Sequence, residues 1–396
     1  MYIRRTSESR LNGLLDGSKI IIVLGARQVG KTTLVQRVLS GRNLVSLNFD
    51  VEIDKSRFLA AASLPPADAL RSLGNPEYLV VDEAQRLPET GRIVKGWYDA
   101  RLPVRILLLG SSTLELLDHA AESLTGRNEK LFLPPLLFDE VIRSRDWCPE
   151  AIPLPDILRH FAGPVRTCLL QSLAFGGYPE AVTTPDKPAL LRNLSSDYLW
   201  KDILQTGLVK SPDLIKRLLT LLAHQVGSEV SVHELATQLH IARQTVERYL
   251  ELLERTWVIF RLPSFSTNPR KEISKSRKIY FWDTGIRNAL LGAFSTDELR
   301  PDIGALWENW AIAEVAKRNA LLGVPGELYF WRSRAQSEVD LVVRTGDRLR
   351  AFEIKWKRRR PAGRAFRAMY GVDVETLDPG NPFAVGDAFY AGTTPG

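Results

Sequence analysis

Cysteine is nearly absent: the 396-residue sequence holds two, Cys148 and Cys168. Two thiols give no disulfide framework and no metal-ligand spacing. No stretch approaches the ~20 consecutive apolar residues that a membrane-spanning helix requires. The opening residues, MYIRRTSESRLNGLL, lack the apolar run of a secretory signal. These absences lead us to expect a soluble, cytoplasmic protein with no membrane partner. Extreme charge is missing too. Lys and Arg number 53 against 46 Asp and Glu, a formal +7. The excess gathers in the last third, which favours a polyanionic partner. The composition is otherwise well mixed, 44% hydrophobic and 25% charged, and the length suits two or three domains.

The front third carries phosphate chemistry. Residues 20–24, IIIVL, form a continuous apolar run suited to a strand buried on both faces. It leads into GARQVGKTTLVQRVL, where Gly25, Gly30, Lys31 and Thr32 meet the G-x-x-x-x-G-K-[ST] spacing. Backbone amides of such a loop curl around a phosphate chain. Lys31 supplies a point charge to the terminal phosphates, and the Thr32 hydroxyl suits Mg²⁺. Gln28, Val29 and Thr33 complete the expected ATP-binding set. A second buried strand, YLVVDEAQ at 78–85, ends in Asp82 and Glu83. Asp82 is expected to hold the magnesium shell and Glu83 to activate the attacking water. Alone, such an acid pair also suits a helix N-terminus; behind a phosphate loop it reads as catalytic. A third run, RILLLGSST at 105–113, brings Ser111, Ser112 and Thr113 to a strand end. Ser112 is the candidate contact to the γ-phosphate or water, with a helix cap as the alternative. In SLTGRNEK, Arg127 is the candidate trans-acting arginine that neutralises transition-state charge. Arg27, inside the loop, is the weaker one.

GARQVGKTTL, VVDEAQ, LLGSS and SLTGR, in that order, resemble a family of bacterial and archaeal AAA-type ATPases whose C-terminal half is a domain of unknown function. The resemblance continues through FGGYPEAV at 175–182 and GALWENWAIAEV at 304–315. It implies a helical lid over the nucleotide and, by analogy with the superfamily, a homo-oligomeric ring of about six copies.

FLPP at 132–135 closes the nucleotide core, and the proline-punctuated stretch at 152–164 marks a boundary. We expect an ATPase core at 1–150, a helical lid at 151–226, a winged helix-turn-helix at 227–290 and a last domain at 291–396. In the third, Ser231 and Glu234 make a capping box. A second helix from about Ala242 shows Arg243, Gln244, Thr245 and Arg248 opposite its apolar face, the layout of a recognition helix. Segments 258–265 and 278–283 would be wing strands. Arg270, Lys271, Lys275, Arg277 and Lys278 line the loop between them and suit phosphate contacts. Winged helices also serve as protein-binding modules.

The last domain reads as helix (304–322, amphipathic, with Trp307, Ala311, Val315 and Ala316 on one side), strand, strand, strand. EVDLVV carries Asp340 and AFEIK carries Glu353 and Lys355. This order resembles the PD-(D/E)XK restriction-endonuclease-like fold. Side chains alternate on a strand, so Glu353 and Lys355 share a face. Asp340, Glu353 and the Ile354 carbonyl would bind Mg²⁺ through hard oxygens, and Lys355 would assist the attacking water. Glu308 or Glu314 would complete the cradle, with Glu338 assisting. A plain surface ion pair is the alternative. Lys357, Arg358, Arg359 and Arg360 follow with Arg364 and Arg367, Trp356 and Phe366 interleaved, a surface suited to a phosphate backbone and unpaired bases.

The expected fold is thus multidomain α/β: a P-loop parallel sheet of AAA type, a helical lid, a winged helix-turn-helix and a restriction-endonuclease-like α/β domain. The expected function is ATP hydrolysis coupled to remodelling or translocation of DNA, forked, branched or duplex. The alternatives are an ATP-regulated, metal-dependent endonuclease, and a nucleotide switch that binds a protein through its winged helix.

Overall fold

The computed structural model describes residues 2–111, 124–149, 151–198, 211–266, 277–322, 326–333, 335–357 and 363–389. Two compact units emerge: Arg4–Pro134 with Arg255–Trp257, and Met1–Ile3, Pro135–Glu254 with Val258–Gly396. The main segment of the smaller unit ends at Pro134. Backbone bonding explains the boundary: the Leu136 amide donates to the Gly177 carbonyl at 2.7 Å and the Phe138 amide to Glu314 at 3.0 Å. Both partners belong to the larger unit.

The smaller unit is built on five strands: β1 (Ile20–Leu24), β2 (Leu44–Asn48), β3 (Tyr78–Asp82), β4 (Arg105–Gly110) and β5 (Asn128–Phe132). Their order is β2-β3-β4-β1-β5, with every pair parallel. Every residue of β1 and β3 is buried. Parallel strands covered by helices on both faces need such unbroken apolar runs. Ile20, Ile22, Leu79, Val81 and Leu108 pack with Phe49, Phe58 and Trp97 in one core. The strand order leaves the carboxyl ends of β1, β3 and β4 side by side, where open α/β sheets hold ligands.

The larger unit contains two small sheets. The first has the order β6-β8-β7, from β6 (Glu229–Val230), β7 (Ile259–Pro263) and β8 (Arg277–Phe281), all antiparallel. Two helices precede β7, Val232–Leu239 and Arg243–Arg255. The Ser231 hydroxyl accepts from the Glu234 amide at 3.3 Å and so caps the first of them. The second sheet has the order β12-β11-β10-β9, from β9 (Glu327–Arg332), β10 (Glu338–Thr345), β11 (Arg348–Ile354) and β12 (Val374–Leu377). Strand β10 is antiparallel to both neighbours, and β12 runs parallel to β11.

The helix Ile303–Leu322 departs from the expected one-sided pattern. Leu306, Trp307, Trp310, Ala311, Ile312, Ala313 and Val315 are all buried, as are Asn309, Glu314 and Lys317. A helix apolar nearly all round belongs inside a protein. Asn309 shows what encloses it. Its side-chain amide accepts from the Phe281 amide at 2.8 Å and donates to the Phe281 carbonyl at 2.9 Å. It thus acts as a strand partner for β8.

The segment FGGYPEAV forms a knot rather than a site. Gly176 closes the helix Ala162–Phe175 at φ +71°, ψ −160°. Asp283 caps the helix Thr284–Leu291 by accepting from Gly285 and Ile286, and also accepts from the Gly177 amide at 2.7 Å. Asn288, fully buried, donates to the carbonyls of Leu173 and Ala174, each at 2.9 Å. Among the described residues no helix is long and apolar enough to cross a membrane.

Candidate functional site

The phosphate loop joins β1 to the helix Lys31–Val38. A Cβ on Gly25 would lie 2.2 Å from the Leu133 carbonyl oxygen, so the chain can pass there only as glycine. Gln28 and Gly30 take positive φ within the loop. Lys31 is buried, and its ammonium donates to the carbonyls of Gly25 and Ala26 at 2.9 and 3.0 Å. Thr32 donates its hydroxyl to Asp82 at 2.5 Å. The first hydroxyl of the loop helix and the last carboxylate of β3 thus meet where a hard cation would take both oxygens. The donor set fits ATP with Mg²⁺.

Glu83 stands beside Asp82 in left-handed backbone, φ +50° and ψ +41°. A non-glycine residue there costs about 1–3 kcal/mol, and such strain gathers at functional sites. Its carboxylate accepts from the Gln85 amide at 2.5 Å, and that amide also donates to the Ser111 hydroxyl at 3.2 Å. Gln85 and Ser111 therefore connect the acid at the end of β3 to the residue after β4. Gln85 was not singled out from the sequence, because its role depends on a strand about 25 residues away. Arg5 was missed as well. It is buried and donates to the carbonyls of Val29 at 2.9 Å and Pro134 at 2.6 Å, bracing the loop from behind. Ser112 lies outside the described residues.

Arg127 sits at the opposite end of the sheet. Its carbonyl accepts from the Ile20 amide at 2.9 Å, just before β5, and its guanidinium pairs with Asp99 at 2.7 Å. The hydrogen bond and charge of Asp99 raise its pKa further. It faces away from its own loop. Arg27 pairs with Asp50 at 3.4 Å, as does Arg86 at 2.9 Å.

In the larger unit the acids of the second sheet do come together, and Glu308 rather than Glu314 joins them. Glu314 instead accepts from the Phe138 amide and from Lys317 at 2.9 Å. Asp340 accepts from the Ile354 amide and from Lys355, each at 2.8 Å. Lys355 is raised in pKa: burial works against its charge, and Asp340, Glu353 and Glu308 more than offset it. A second ammonium, Lys278, enters the cluster beside the expected metal set of Asp340 and Glu353. It lies 3.3 Å from Glu308 and also pairs with Glu338. Lys278 therefore faces inward, not into a phosphate-binding loop. No group of three metal-ligating side chains with suitable geometry occurs among the described residues.

The proposed nucleic-acid residues fare unevenly. Arg243, Gln244 and Arg248 are exposed and Thr245 is half-buried on Arg243–Arg255. Glu247 and Glu251 share that exposed surface, so its charge is mixed. Lys357 is exposed. Arg270, Lys271, Lys275, Arg358, Arg359 and Arg360 lie outside the described residues. The two aromatics expected to stack on bases are already engaged. The Arg166 guanidinium covers Trp356 at 4.5 Å, and Phe366 is fully buried.

Comparisons with known proteins agree with this geometry. Residues 17–142 match a family described as "AAA domain". Residues 166–297 and 303–392 match two families described as domains of unknown function, DUF8612 and DUF4143. The chain is 32% identical to the protein Rv2008c of Mycobacterium tuberculosis over 364 residues, covering 89% of this chain and 74% of the relative. It is 26% identical to MJ1544 of Methanocaldococcus jannaschii, covering 82% and 72%. Among solved structures, "The walker-type atpase paby2304 of pyrococcus abyssi" superposes with a TM-score of 0.51 at 18% identity, covering 73% of this chain and 96% of that one. The chain belongs to the family of Rv2008c, and its front unit is a P-loop ATPase domain of AAA type.

Proposed function

We propose that the chain hydrolyses ATP and uses the cycle to engage and remodel DNA, forked or branched, as a homo-oligomeric ring. The observation that carries the hydrolytic part is the meeting of Thr32 and Asp82 at 2.5 Å, with Glu83 strained beside them. Bound ATP and Mg²⁺ would supply the phosphoryl group and the neutralising dication. Lys31 would then bind the terminal phosphates, and Thr32 and Asp82 are the residues that would hold the metal. Glu83 orients the attacking water, and the Gln85 amide fixes where its carboxylate points.

The position of Arg127 favours an assembly. An arginine at the start of the edge strand β5 cannot serve its own loop and suits a neighbour's site. Mixing tests this. Arg127→Ala and Lys31→Ala chains, each inactive alone, are expected to recover measurable ATP turnover when combined, because some sites then carry an intact loop and a neighbour's arginine. No recovery at any ratio would remove the trans assignment.

The DNA part rests on Arg243, Gln244 and Arg248, exposed on the helix Arg243–Arg255, whose Glu247 and Glu254 pair with Arg261 of β7 and which we read as the recognition helix of a winged helix. ATP turnover is expected to rise several-fold with forked or four-way DNA at low salt and to fall back as salt increases. Arg243→Glu with Arg248→Glu should abolish the rise without changing basal turnover. A second reading draws on Glu247 and Glu251 in that same face: a nucleotide switch docking a protein partner. Turnover indifferent to single-stranded, duplex, forked and four-way DNA alike would favour it.

A further inference from the structure

The acid cluster of the second sheet contains a cation that the nuclease-like sequence pattern does not call for. Lys278 lies on β8, in the other sheet of the larger unit, and is 3% exposed. Its ammonium meets Glu308 of the helix Ile303–Leu322 and Glu338 of β10. Tyr280, two residues further along the same face, donates its hydroxyl to the same Glu308 oxygen at 2.7 Å. The Phe330 ring lies 5.6 Å from the Lys278 ammonium. Burial alone would push Lys278 down in pKa. Glu308 and Glu338, with Asp340 beyond them, more than offset it and hold the group charged. Glu308 is itself raised, by burial first and by Asp340, against the pull of Lys278.

A divalent metal drawing on Glu308 or Glu338 would need carboxylate groups that Lys278 already engages. It would also sit beside a buried ammonium, and like charges at such range repel strongly away from water. The residues therefore do not fit a metal as they stand. We propose that Lys278 is the resident cation on the Glu308 and Glu338 side of this cluster, excluding a divalent ion from the neighbouring Asp340 and Glu353 to which the sequence pattern assigns it. Glu308 and Glu338 then fasten β8 to its neighbouring helix and to the second sheet, and the cluster does not cut a phosphodiester. Removing one side of a buried, hydrogen-bonded pair leaves the other side's desolvation uncompensated, so the cluster without Lys278 demands another cation. This inference is independent of the ATPase reading.

The test uses the full chain without nucleotide and follows Mn²⁺ uptake by electron paramagnetic resonance. Wild type and Asp340→Asn should take up equal amounts. Lys278→Ala should take up one further Mn²⁺ per chain, and Lys278→Ala with Asp340→Asn should lose it. Wild-type uptake that disappears in Asp340→Asn overturns the proposal, as does Mn²⁺-dependent cleavage of forked DNA that requires Asp340. A folded Lys278→Ala that gains no Mn²⁺ overturns it too. Should Lys278→Ala fail to fold, Lys278→Arg keeps the charge and should fold with wild-type uptake. An Asp340-dependent gain in that variant also counts against the proposal.

Discussion

Glu83→Gln is expected to lower ATP turnover by about 10²–10⁴-fold, the range for loss of a positioned base, while nucleotide binding persists. The substitution is nearly isosteric. Its carbonyl still accepts from Gln85, so the link to Ser111 survives and only the charge that orients water is lost. Single-turnover kinetics with a fluorescent nucleotide separate the two effects: binding unchanged, hydrolysis slowed. Lys31→Ala should fail earlier, at binding, because the loop loses the charge it aims at the terminal phosphates. The backbone adds a control. Glu83 pays for a left-handed conformation that glycine adopts freely. Glu83→Gly should therefore lose hydrolysis without losing stability. Equal turnover in wild type and Glu83→Gln would remove Glu83 from the chemistry.

Gly176→Ala should be the most damaging single methyl in the larger unit. The position has φ +71° and ψ −160°, a region populated by glycine almost exclusively. A Cβ there would lie 1.9 Å from an Asp283 carboxylate oxygen. Asp283 would have to move, giving up the Gly177 amide and its cap on the helix Thr284–Leu291. Each hydrogen bond to a buried charged group contributes about 1.5–3 kcal/mol. Together with the backbone strain the loss reaches about 5 kcal/mol or more, against a typical total of about 5–15. The expected readout is insoluble protein, or a melting temperature lowered by more than about 10 °C. A melting temperature within a few degrees of wild type would mean that Asp283 can step aside.

The parts legible in the sequence are those fixed by local rules. The strands at 20–24, 78–82 and 105–110 announce themselves, because a strand covered on both faces must be apolar throughout. The phosphate loop is legible because its chemistry fixes its spacing. Glu353 and Lys355 are placed on one face by strand alternation, and Asp340 meets Lys355 from the neighbouring strand of the same hairpin. What stayed hidden depends on distant partners. Lys278 reads as one more cation at a loop edge, yet its two glutamates lie 30 and 60 residues further on. The alternation KIYF does put Lys278 and Tyr280 on one face, which was the available signal. Glu308 and Glu314 cannot be separated by pattern, since both lie on a helix that is buried nearly all round. Trp356 and Phe366 look like a stacking surface only until Arg166 and the core are known to cover them.

Asn309 completes β8 from a helix that belongs to a different family match, and Glu308 beside it receives Lys278 and Tyr280. The seam between residues 297 and 303 therefore divides two family matches but not the hydrogen bonds and buried ion pair that cross it. A recombination event that exchanged the tail alone would leave β8 missing a strand partner and a buried lysine facing the wrong neighbours. Only tails already carrying the Glu-Asn pair at the matching turn of the helix could be traded in. The two back segments should accordingly travel through evolution together, whatever stands in front of them.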